Sequence, residues 1–565
     1  MKRYDTWTEA RREQLLQKLT QIPLEASPKI SIILPVYNPP LALLQKTIAS
    51  VQAQVWTQWE LCIADDGSTD SKIIEFLTAL EKKESRVKLC LCHKQAGIAA
   101  STNTALAMAS GDFVAFLDHD DLLPAHALAE VALAIHKTPE VSFLYSDEDK
   151  IDRRGNRCDP FFKPDWNPDL LTSLNYCSHL SVIRRSLVAK VGGIKESVEG
   201  AQDWDLLLRV TEQLHSDQIV HLPHVLYHWR ISANSTAGSI TAKPHVIAAS
   251  RRALEEHLQR THRAFTNIEQ VHEGGHWCVN YALPEPAPSV SVIIPTRNRL
   301  DLLERCVNSI KSQTDYPHYE ILIADNDSDD PKVLEFYRQQ TAKKNIHVLK
   351  IPGPFNYSSI NNRAAAEARG EVLVLLNNDI EVTHASWLRE LVAHAIRPEV
   401  GAVGALLLYP NGKIQHAGVI LGIGGVAGHV GKKFSQHREV GGNRTKVVQN
   451  FSAVTGACLA VRKKLYQEVG GLDETNLPVS FNDVDFCLKL QAAGYWNVWT
   501  PQALLIHHES ASRGAENTPA KIKRFHGEIA TMQQRWGDFL KHDPAYNPHL
   551  TLQHEDWSLN WNSII

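Results

Sequence analysis

The sequence predicts an α/β protein made of two tandem domains, each a mostly parallel sheet flanked by helices. Three observations lead there. Residues 31–38 (SIILPVYN) recur at 291–298 (SVIIPTRN), and ADDGSTD at 64–70 recurs as ADNDSDD at 324–330, both pairs 260 residues apart. Within each copy apolar strands alternate with helical stretches, the pattern of parallel strands joined by crossover helices. Acid-rich turns follow the strands, and the turns beyond strand ends are where open sheets of this kind bind ligands.

At 565 residues the chain exceeds what one hydrophobic core can organise. Residues 1–28 read as an N-terminal helix and linker. The first domain, 29–258, begins with a strand at 30–34, a helix at 41–54, a strand at 59–64 and a helix at 71–82. GDFVAFLDHDD (111–121) reads as a buried strand ending in carboxylates. Segment 259–288, with PEPAP and little periodicity, reads as a linker. The second domain, 289–530, repeats the order with strands at 290–294 and 319–324, helices at 301–312 and 331–341, and the strand EVLVLLNND at 371–379. Residues 531–565, with the irregular HDPAYNPHL (542–549), read as a tail packing on the second domain.

Acidic and basic residues nearly balance, 63 against 59, so no bulk positive field is offered to nucleic acid or to an anionic membrane. The nine cysteines are odd in number, lack Cys-x-x-Cys spacing and mostly fall in apolar segments, as core residues do in a reducing cytosol. The start of the chain is charged and helix-patterned, unlike a signal peptide, and no run approaches the ~18 apolar residues that span a bilayer. A cytoplasmic protein is expected, with peripheral contact at the inner face of the membrane left open.

Four constellations carry chemistry. In Asp118-His119-Asp120, two carboxylates one residue apart at a strand end can face one hard cation, which can neutralise a diphosphate. The second copy holds Asn377-Asn378-Asp379 and keeps one acid there. Asp65-Asp66 and Asp325-Asn326 can accept hydrogen bonds from a ribose or a base N–H, although a capped helix start is the plainer reading. Asp203 in AQDWDLLLR and Asp483 in FNDVDFCLK each precede an apolar helical run. They suit a general base in a first helical turn, kept ionised by the helix dipole, with helix capping as the rival reading. His228 and His508 each lie 25 residues after their acid, and a neutral imidazole there could complete the coordination of a cation held by Asp120 or Asp379.

This ordered set, occurring twice, resembles the inverting glycosyltransferases of family 2 over nearly all of 29–258 and 289–515. The resemblance implies two tandem GT-A domains, the Rossmann-like fold of nucleotide-diphospho-sugar transferases. Carried over by position, Pro35, Tyr37, Asp65 and Asp66 would line the nucleoside pocket. Asp118 and Asp120 would meet the ribose–diphosphate and a divalent cation, Mn²⁺ or Mg²⁺. Asp203 would be the base and His228 a further metal ligand. The second copy's counterparts are Pro295, Arg297, Asp325, Asn378, Asp379, Asp483 and His508. Two departures stand out: Asn377 replaces the first metal-site acid, and Gln202, matched by Asn482, stands where a Glu often precedes the base, Gln202 and Asn482 both being candidates for the acceptor or sugar pocket.

More narrowly, FNYSSINN (355–362), LLNNDIE (375–381), IQHAGVILG (414–422), AVTGACLAVRK (453–463) and HHESASRG (507–514) resemble bacterial enzymes that build O-antigen, capsule or rhamnose-rich polysaccharides. FFKPDWNPDLLTSLNY (161–176) looks like a segment of their first domain, with Tyr176 and His179 toward the sugar or acceptor. The implied donor is a dTDP- or UDP-hexose, dTDP-rhamnose among them, and the implied acceptor a lipid-linked glycan. Gln533-Gln534-Arg535-Trp536 is one spacer short of the Q-x-x-R-W signature of processive synthases. The glycine-rich 418–431 lacks the strand and helix of a phosphate loop and reads as a loop near the acceptor cleft.

The expectation is a bifunctional transferase, or one catalytic copy beside a glycan- or nucleotide-binding one. A non-enzymatic scaffold would have lost the base-position acids in both copies. A sugar-phosphate nucleotidyltransferase would carry a Gly-rich, Arg-containing loop where PVYNPP and PTRNRL stand.

Overall fold

In the computed structural model, which describes residues 9–23, 27–231, 244–272, 275–438, 441–509 and 518–560, the repeated sequence folds as a repeated topology. The first sheet holds β1 (Ile30–Val36), β2 (Trp59–Asp65), β3 (Val87–Leu91), β4 (Phe113–Phe116), β5 (Phe143–Ile151), β6 (Arg157–Phe161), β7 (Ser181–Arg184) and β8 (Ile219–Arg230). Its order is β3-β2-β1-β4-β7-β5-β6, with β8 joined to β5. A hairpin of β9 (Phe265–His272) and β10 (His276–Tyr281) follows.

The second sheet opens with β11 (Val290–Thr296), β12 (Tyr319–Asp325), β13 (Ile346–Lys350), β14 (Val372–Leu376), β15 (Ile380–Val382) and β16 (Val400–Leu408). Next come β17 (Ile414–His416) and a separate hairpin of β18 (Val419–Leu421) and β19 (Ala427–His429). The sheet closes with β20 (Gln449–Asn450), β21 (Cys458–Arg462) and β22 (Trp496–His507), in the order β13-β12-β11-β14-β21-β16-β22-β15. The sequence of strands is the same in both sheets, with β21, β16 and β22 standing where β7, β5 and β8 stand.

β1 and β2 are apolar along their length and almost wholly buried, because helices cover both faces of a parallel sheet. Register is conserved between the copies: Pro35 lies opposite Ala64, and Pro295 opposite Ala324. A second matched device closes the opposite edge. Ser31 donates to Glu60 (2.7 Å) and accepts from the Gly111 N–H (2.9 Å), while Ser291 donates to Glu320 (2.6 Å) and accepts from the Gly370 N–H (2.8 Å). A Cβ on Gly111 would fall 2.6 Å from the Lys29 carbonyl, and on Gly370 2.4 Å from the Ser291 nitrogen, so only glycine fits there.

The expected early elements form in both copies, but two readings of organisation change. The 259–288 segment is not bare linker, since it carries the β9–β10 hairpin. The tail, beyond the helix Pro519–Lys541, packs on both domains. Asp543 accepts the Leu421 N–H (2.6 Å) and the Ser452 hydroxyl (2.6 Å) of the second domain. Asn547 donates to the buried Asp147 (2.9 Å) and to the Lys163 carbonyl (2.9 Å) of the first. All nine cysteines are unpaired. Among the described residues no helix is long and apolar enough to cross a membrane.

The seam between the domains runs through FFKPDWNPDLL. Asp169, fully buried, takes a two-point ion pair from Arg397 of the second domain (2.6 and 3.2 Å) and a hydrogen bond from Asn450 Nδ2 (2.7 Å). Asn167 and Asn450 exchange bonds at 2.8 and 2.9 Å. Burial would raise the Asp169 carboxyl, but Arg397 overrides it and holds the group down at about 2. Close by, His221 bridges Asp147 and Asp165 (both 2.9 Å), and Asp165 also meets His542 of the tail (3.0 Å). Burial works against a charged His221, yet the two carboxylates bring it up to about 9.

Arg397→Ala strands a buried carboxylate and should cost about 3–5 kcal/mol of stability by denaturant unfolding. For His221, whose proton is held more tightly in the folded state, the stabilisation is complete below about pH 6.5 and vanishes as pH rises through about 9. Melting temperature should fall across that window in the wild type and much less in His221→Gln.

Candidate active sites

The carboxyl ends of β1, β2 and β4 open on one edge, with β1 between its neighbours where the strand order reverses, so side chains following these strands converge. The Asn ending each PVYN or PTRN motif, to which sequence reading gave no role, fixes the loop. The Asn38 N–H donates to Ser68 Oγ (2.9 Å) and its Oδ1 accepts the Thr69 N–H (2.9 Å). Asn298 repeats this with Ser328 (2.8 Å), Asp329 (3.0 Å) and Asp330 (3.1 Å). Pro35 and Pro295 sit half-buried behind the rim, where Tyr37 and Arg297 are exposed.

The acids divide between scaffolding and an open remainder. Asp66 spends both oxygens on the Ala96 and Gly97 N–H groups (2.8 and 2.9 Å), and Asp70 caps its helix through Lys72 (3.0 Å). Asp65 accepts the Ser68 N–H at Oδ2 (2.9 Å), leaving Oδ1 buried with no partner among the described residues. In the second copy Asp325 is more fully engaged, accepting the Ser328 N–H (3.1 Å) and the Tyr337 hydroxyl (2.9 Å) at Oδ1.

Asp118 and Asp120 are half-buried beyond β4. The Asp120 carboxyl is pushed up, first by burial and further by Asp118, against the opposing pull of His119. The adjacent Asp121 is spent on the Tyr227 hydroxyl (2.7 Å) and the Arg230 N–H (2.7 Å). Asp203, in the first turn of the helix Gln202–Thr211, is open to water yet enclosed by protein mass, as on the wall of a cleft. Asn175 Nδ2 holds it at 2.9 Å, and its carboxyl is raised by burial and by Asp118 while His179 opposes. Asp203, Asp118 and His179 thus lie within electrostatic reach of one another. The His179 ring stacks on Tyr227 (4.5 Å between centroids) and lies 3.4 Å from Glu148. Burial lowers its basicity, but Glu148 and the nearby aspartates bring it up to about 9.

In the second cleft the Asn377 N–H binds the Ala457 carbonyl (3.0 Å), and the preceding residue, Gly456, donates its N–H to Asp483 (2.8 Å). Strand-end site and helix-borne acid are thereby tied through neighbouring peptide units. Asp483 also accepts the Val484 N–H at 2.9 Å. Asn378 Nδ2 donates to Thr296 (2.9 Å). Buried Asp379 lies 3.2 Å from Nε2 of His507, whose Nδ1 meets Gln415 (3.1 Å).

The histidine assignments therefore change. His228 is turned into the fold, with Nδ1 2.6 Å from the buried Asp149, and His508 lies between Glu381 (2.8 Å) and Arg305 (3.2 Å). Strand register explains it. His228 bridges Leu122, but the corresponding position after β14, Glu381, pairs with Ile506, so equal sequence spacing hides a helix-to-strand connection two residues longer in the first copy. Three pocket assignments change as well. Tyr176 is fully buried, its hydroxyl accepting the Asn167 N–H (2.9 Å). Gln202 folds back onto the Gly200 N–H (2.6 Å), and Asn482 is buried and donates to Val479 (3.1 Å).

The glycine-rich 418–431 contains the β18–β19 hairpin and packs on the tail, and residues 510–514 of HHESASRG lie outside the described residues. Arg535 and Trp536 both donate to Asp485 (2.6 and 2.9 Å), anchoring the C-terminal helix two residues past Asp483. Among the described residues no group of three or more His, Cys, Asp or Glu converges on a cation position. The paired carboxylates Asp118 and Asp120, and Asp379 with His507, fit a divalent ion that takes its remaining ligands from a bound diphosphate and water.

The family model for glycosyl transferase family 2 matches residues 31–192 and 291–470. An uncharacterized protein of Sinorhizobium fredii, y4gI, is 46% identical over 97% of this chain and 61% of its own length. The O-antigen biosynthesis protein RfbC of Myxococcus xanthus is 41% identical over 95% of this chain and 41% of its own. The chain thus spans less than two thirds of these relatives. The Escherichia coli UDP-Glc:alpha-D-GlcNAc-diphosphoundecaprenol beta-1,3-glucosyltransferase WfgD is 38% identical over 22% of this chain and 46% of its own.

His228→Ala should cost roughly 1–3 kcal/mol by taking from buried Asp149 the hydrogen bond at Oδ1, while Arg157 keeps Oδ2, and should leave Mn²⁺ affinity of the protein unchanged. His507→Ala should weaken Mn²⁺ binding at the second cleft. The opposite pattern in a Mn²⁺ titration would restore the original assignment of His228.

Proposed function

The chain belongs to glycosyl transferase family 2 and carries its GT-A fold twice; from that footing we propose a bifunctional inverting glycosyltransferase that extends a lipid-linked cell-surface polysaccharide from nucleotide-diphosphate sugars. The observation that supports it is that in both copies a helix-borne aspartate comes close to the strand end: Asp203 feels Asp118 and His179, and Asp483 takes the Gly456 N–H beside the Ala457 carbonyl that binds Asn377. Likeness to an O-antigen biosynthesis protein supports the polysaccharide, and likeness to an enzyme named for a diphosphoundecaprenol acceptor supports a lipid-linked one. UDP- or dTDP-hexoses are the proposed donors, dTDP-rhamnose among them, and the cytoplasmic face of the membrane the proposed place.

Asp65, with its unpartnered Oδ1, accepts hydrogen bonds from the nucleoside in the first cleft, and Asp325 does so in the second. A divalent cation on Asp118 and Asp120, or on Asp379 and His507, would supply positive charge for the departing diphosphate. Asp203 or Asp483 takes the proton of the acceptor hydroxyl as its oxygen bonds to the anomeric carbon. The carbon–oxygen bond to the diphosphate breaks on the opposite face, which inverts the centre. General-base help of this kind contributes ~10²–10⁴-fold. The raised Asp203 carboxyl makes it a stronger base at neutral pH. His179, oriented by Glu148, adds a positive edge to the first cleft.

A second reading, with catalysis only in the first copy, draws on Asn377, which removes one acid from the second. Asp379, Asp483 and His507 support two working sites instead.

Mass spectrometry of products from a panel of nucleotide sugars and a diphosphoprenyl-linked acceptor tests this. Asp203→Asn and Asp483→Asn should each abolish one linkage, lowering its rate by about 10²-fold or more, with unchanged melting temperature. Identical products from both variants and the wild type would remove the assignment of the bases. Because the Asp203 carboxyl is raised, the first linkage should fade as pH drops toward that raised value, before an unperturbed aspartate (about 3.9) would be protonated.

A further inference from the structure

At the seam lies a cavity of about 260 Å³ bordered by Phe161 of the first domain, Gly441, Gly442 and Arg444 of the second, and Trp557 and Ser558 of the tail. Arg444 is its unusual member. The residue is 1% exposed and forms no ion pair with any described residue. Two of its five N–H groups are used, on Gln449 Oε1 (2.9 Å) and the Ala545 carbonyl (3.2 Å). A buried guanidinium without a bonded anion is costly, and burial indeed pulls this group down to about 10. The Trp557 indole N–H is likewise buried, with no acceptor among the described residues.

The walls are aromatic. A Cβ on Gly441 would sit 3.0 Å from the Trp557 ring and one on Gly442 2.9 Å from the Phe161 ring, so side chains at either position would crowd the two rings that border the space. Phe161 itself is only half-buried. The volume lies under the roughly 300–1,000 Å³ of drug-sized sites and is too small for a nucleotide sugar. Aromatic faces suit the apolar face of a pyranose, and the guanidinium suits a carboxylate.

We propose that this cavity binds one acidic sugar residue, a pyranose carrying a carboxylate, held by Arg444 at its acid and by Phe161 and Trp557 at its ring. That the sugar belongs to the growing glycan rests on the function proposed above; the binding chemistry does not. The site lies where both domains and the tail meet.

The test is calorimetric titration of the full chain, without nucleotide sugar, with an oligogalacturonide and with a neutral galactose oligomer of equal length. The acidic oligomer should bind at least tenfold tighter. Arg444→Gln should abolish the difference. Because a buried arginine can be needed for folding, Phe161→Ala, at a half-buried position, provides the second arm: at least tenfold weaker binding at unchanged melting temperature. Equal binding of the two oligomers, full binding by Phe161→Ala, or inorganic phosphate binding as tightly as the uronide would overturn the proposal. The doubly substituted Asp203→Asn, Asp483→Asn chain should keep the binding while losing transfer, which separates failure of this site from failure of the proposed function.

Discussion

The first site depends on a surplus of negative charge gathered at one edge of a parallel sheet. Parallel strands all end on the same side, so acids that follow β2 and β4 cannot avoid each other. The protein neutralises part of the crowd internally: Asp66 with two backbone N–H groups, Asp121 with Tyr227 and Arg230, Asp70 as a helix cap. What it leaves is specific. Among the described residues no cationic side chain bonds the carboxyl of Asp118 or Asp120, or Oδ1 of Asp65, and carboxylates near one another in low dielectric raise each other's proton affinity unless a positive ligand intervenes. The scaffolding acids hold the loops rigid while the remaining acids define where positive charge is wanted.

A second constraint fixes the two clefts relative to each other. The segment 161–173, which resembles a family motif, contributes to the seam: Lys163, Asp165, Asn167, Asp169 and Ser173 bond to the second domain, the tail, or the buried Glu148–His179 pair. Such a dense set of buried polar bonds permits few alternative arrangements, because each displaced partner would leave a desolvated charge behind. The same segment reaches His179 through Lys163, whose ammonium also bonds the Cys177 and His179 carbonyls (2.8 and 2.6 Å). Domain packing and the first cleft's geometry are therefore one structure.

The sequence made the sheet and the acids legible because both depend on local pattern. Continuous apolar runs such as ISIILPV and VLVLL mark strands buried on both faces, and the 260-residue spacing carried the inference from one copy to the other. What it could not convey was side-chain surroundings. His228 and His508 share a spacing but not a register, since two extra residues in a connecting segment slide the strand one full pleat along its neighbour, which keeps the face but gives the side chain different partners. Tyr176 and Asn482 sit in motifs that resemble functional ones and are consumed by packing. The hairpin at 265–281 alternates too weakly to announce itself, and the seam depends on contacts more than 200 residues apart, which no local window contains.

The two copies also differ in charge in a matched way. By strand pairing, Ala457 of the second copy stands where His179 stands in the first, because Arg184 and Arg462 occupy the same place opposite Phe113 and Val372. Losing that imidazole would leave the second cleft without its positive edge. The loss coincides with Asn377 in place of an acid, which lowers the negative charge to be balanced, and with His507 brought to 3.2 Å from Asp379 on the neighbouring strand. Charge was removed on both sides of the balance, and one histidine was moved from β7's flank to the end of β22. A copy drifting free of function would have no reason to keep acid and imidazole matched, so the compensated loss argues that the second cleft is held to the same electrostatic requirement as the first.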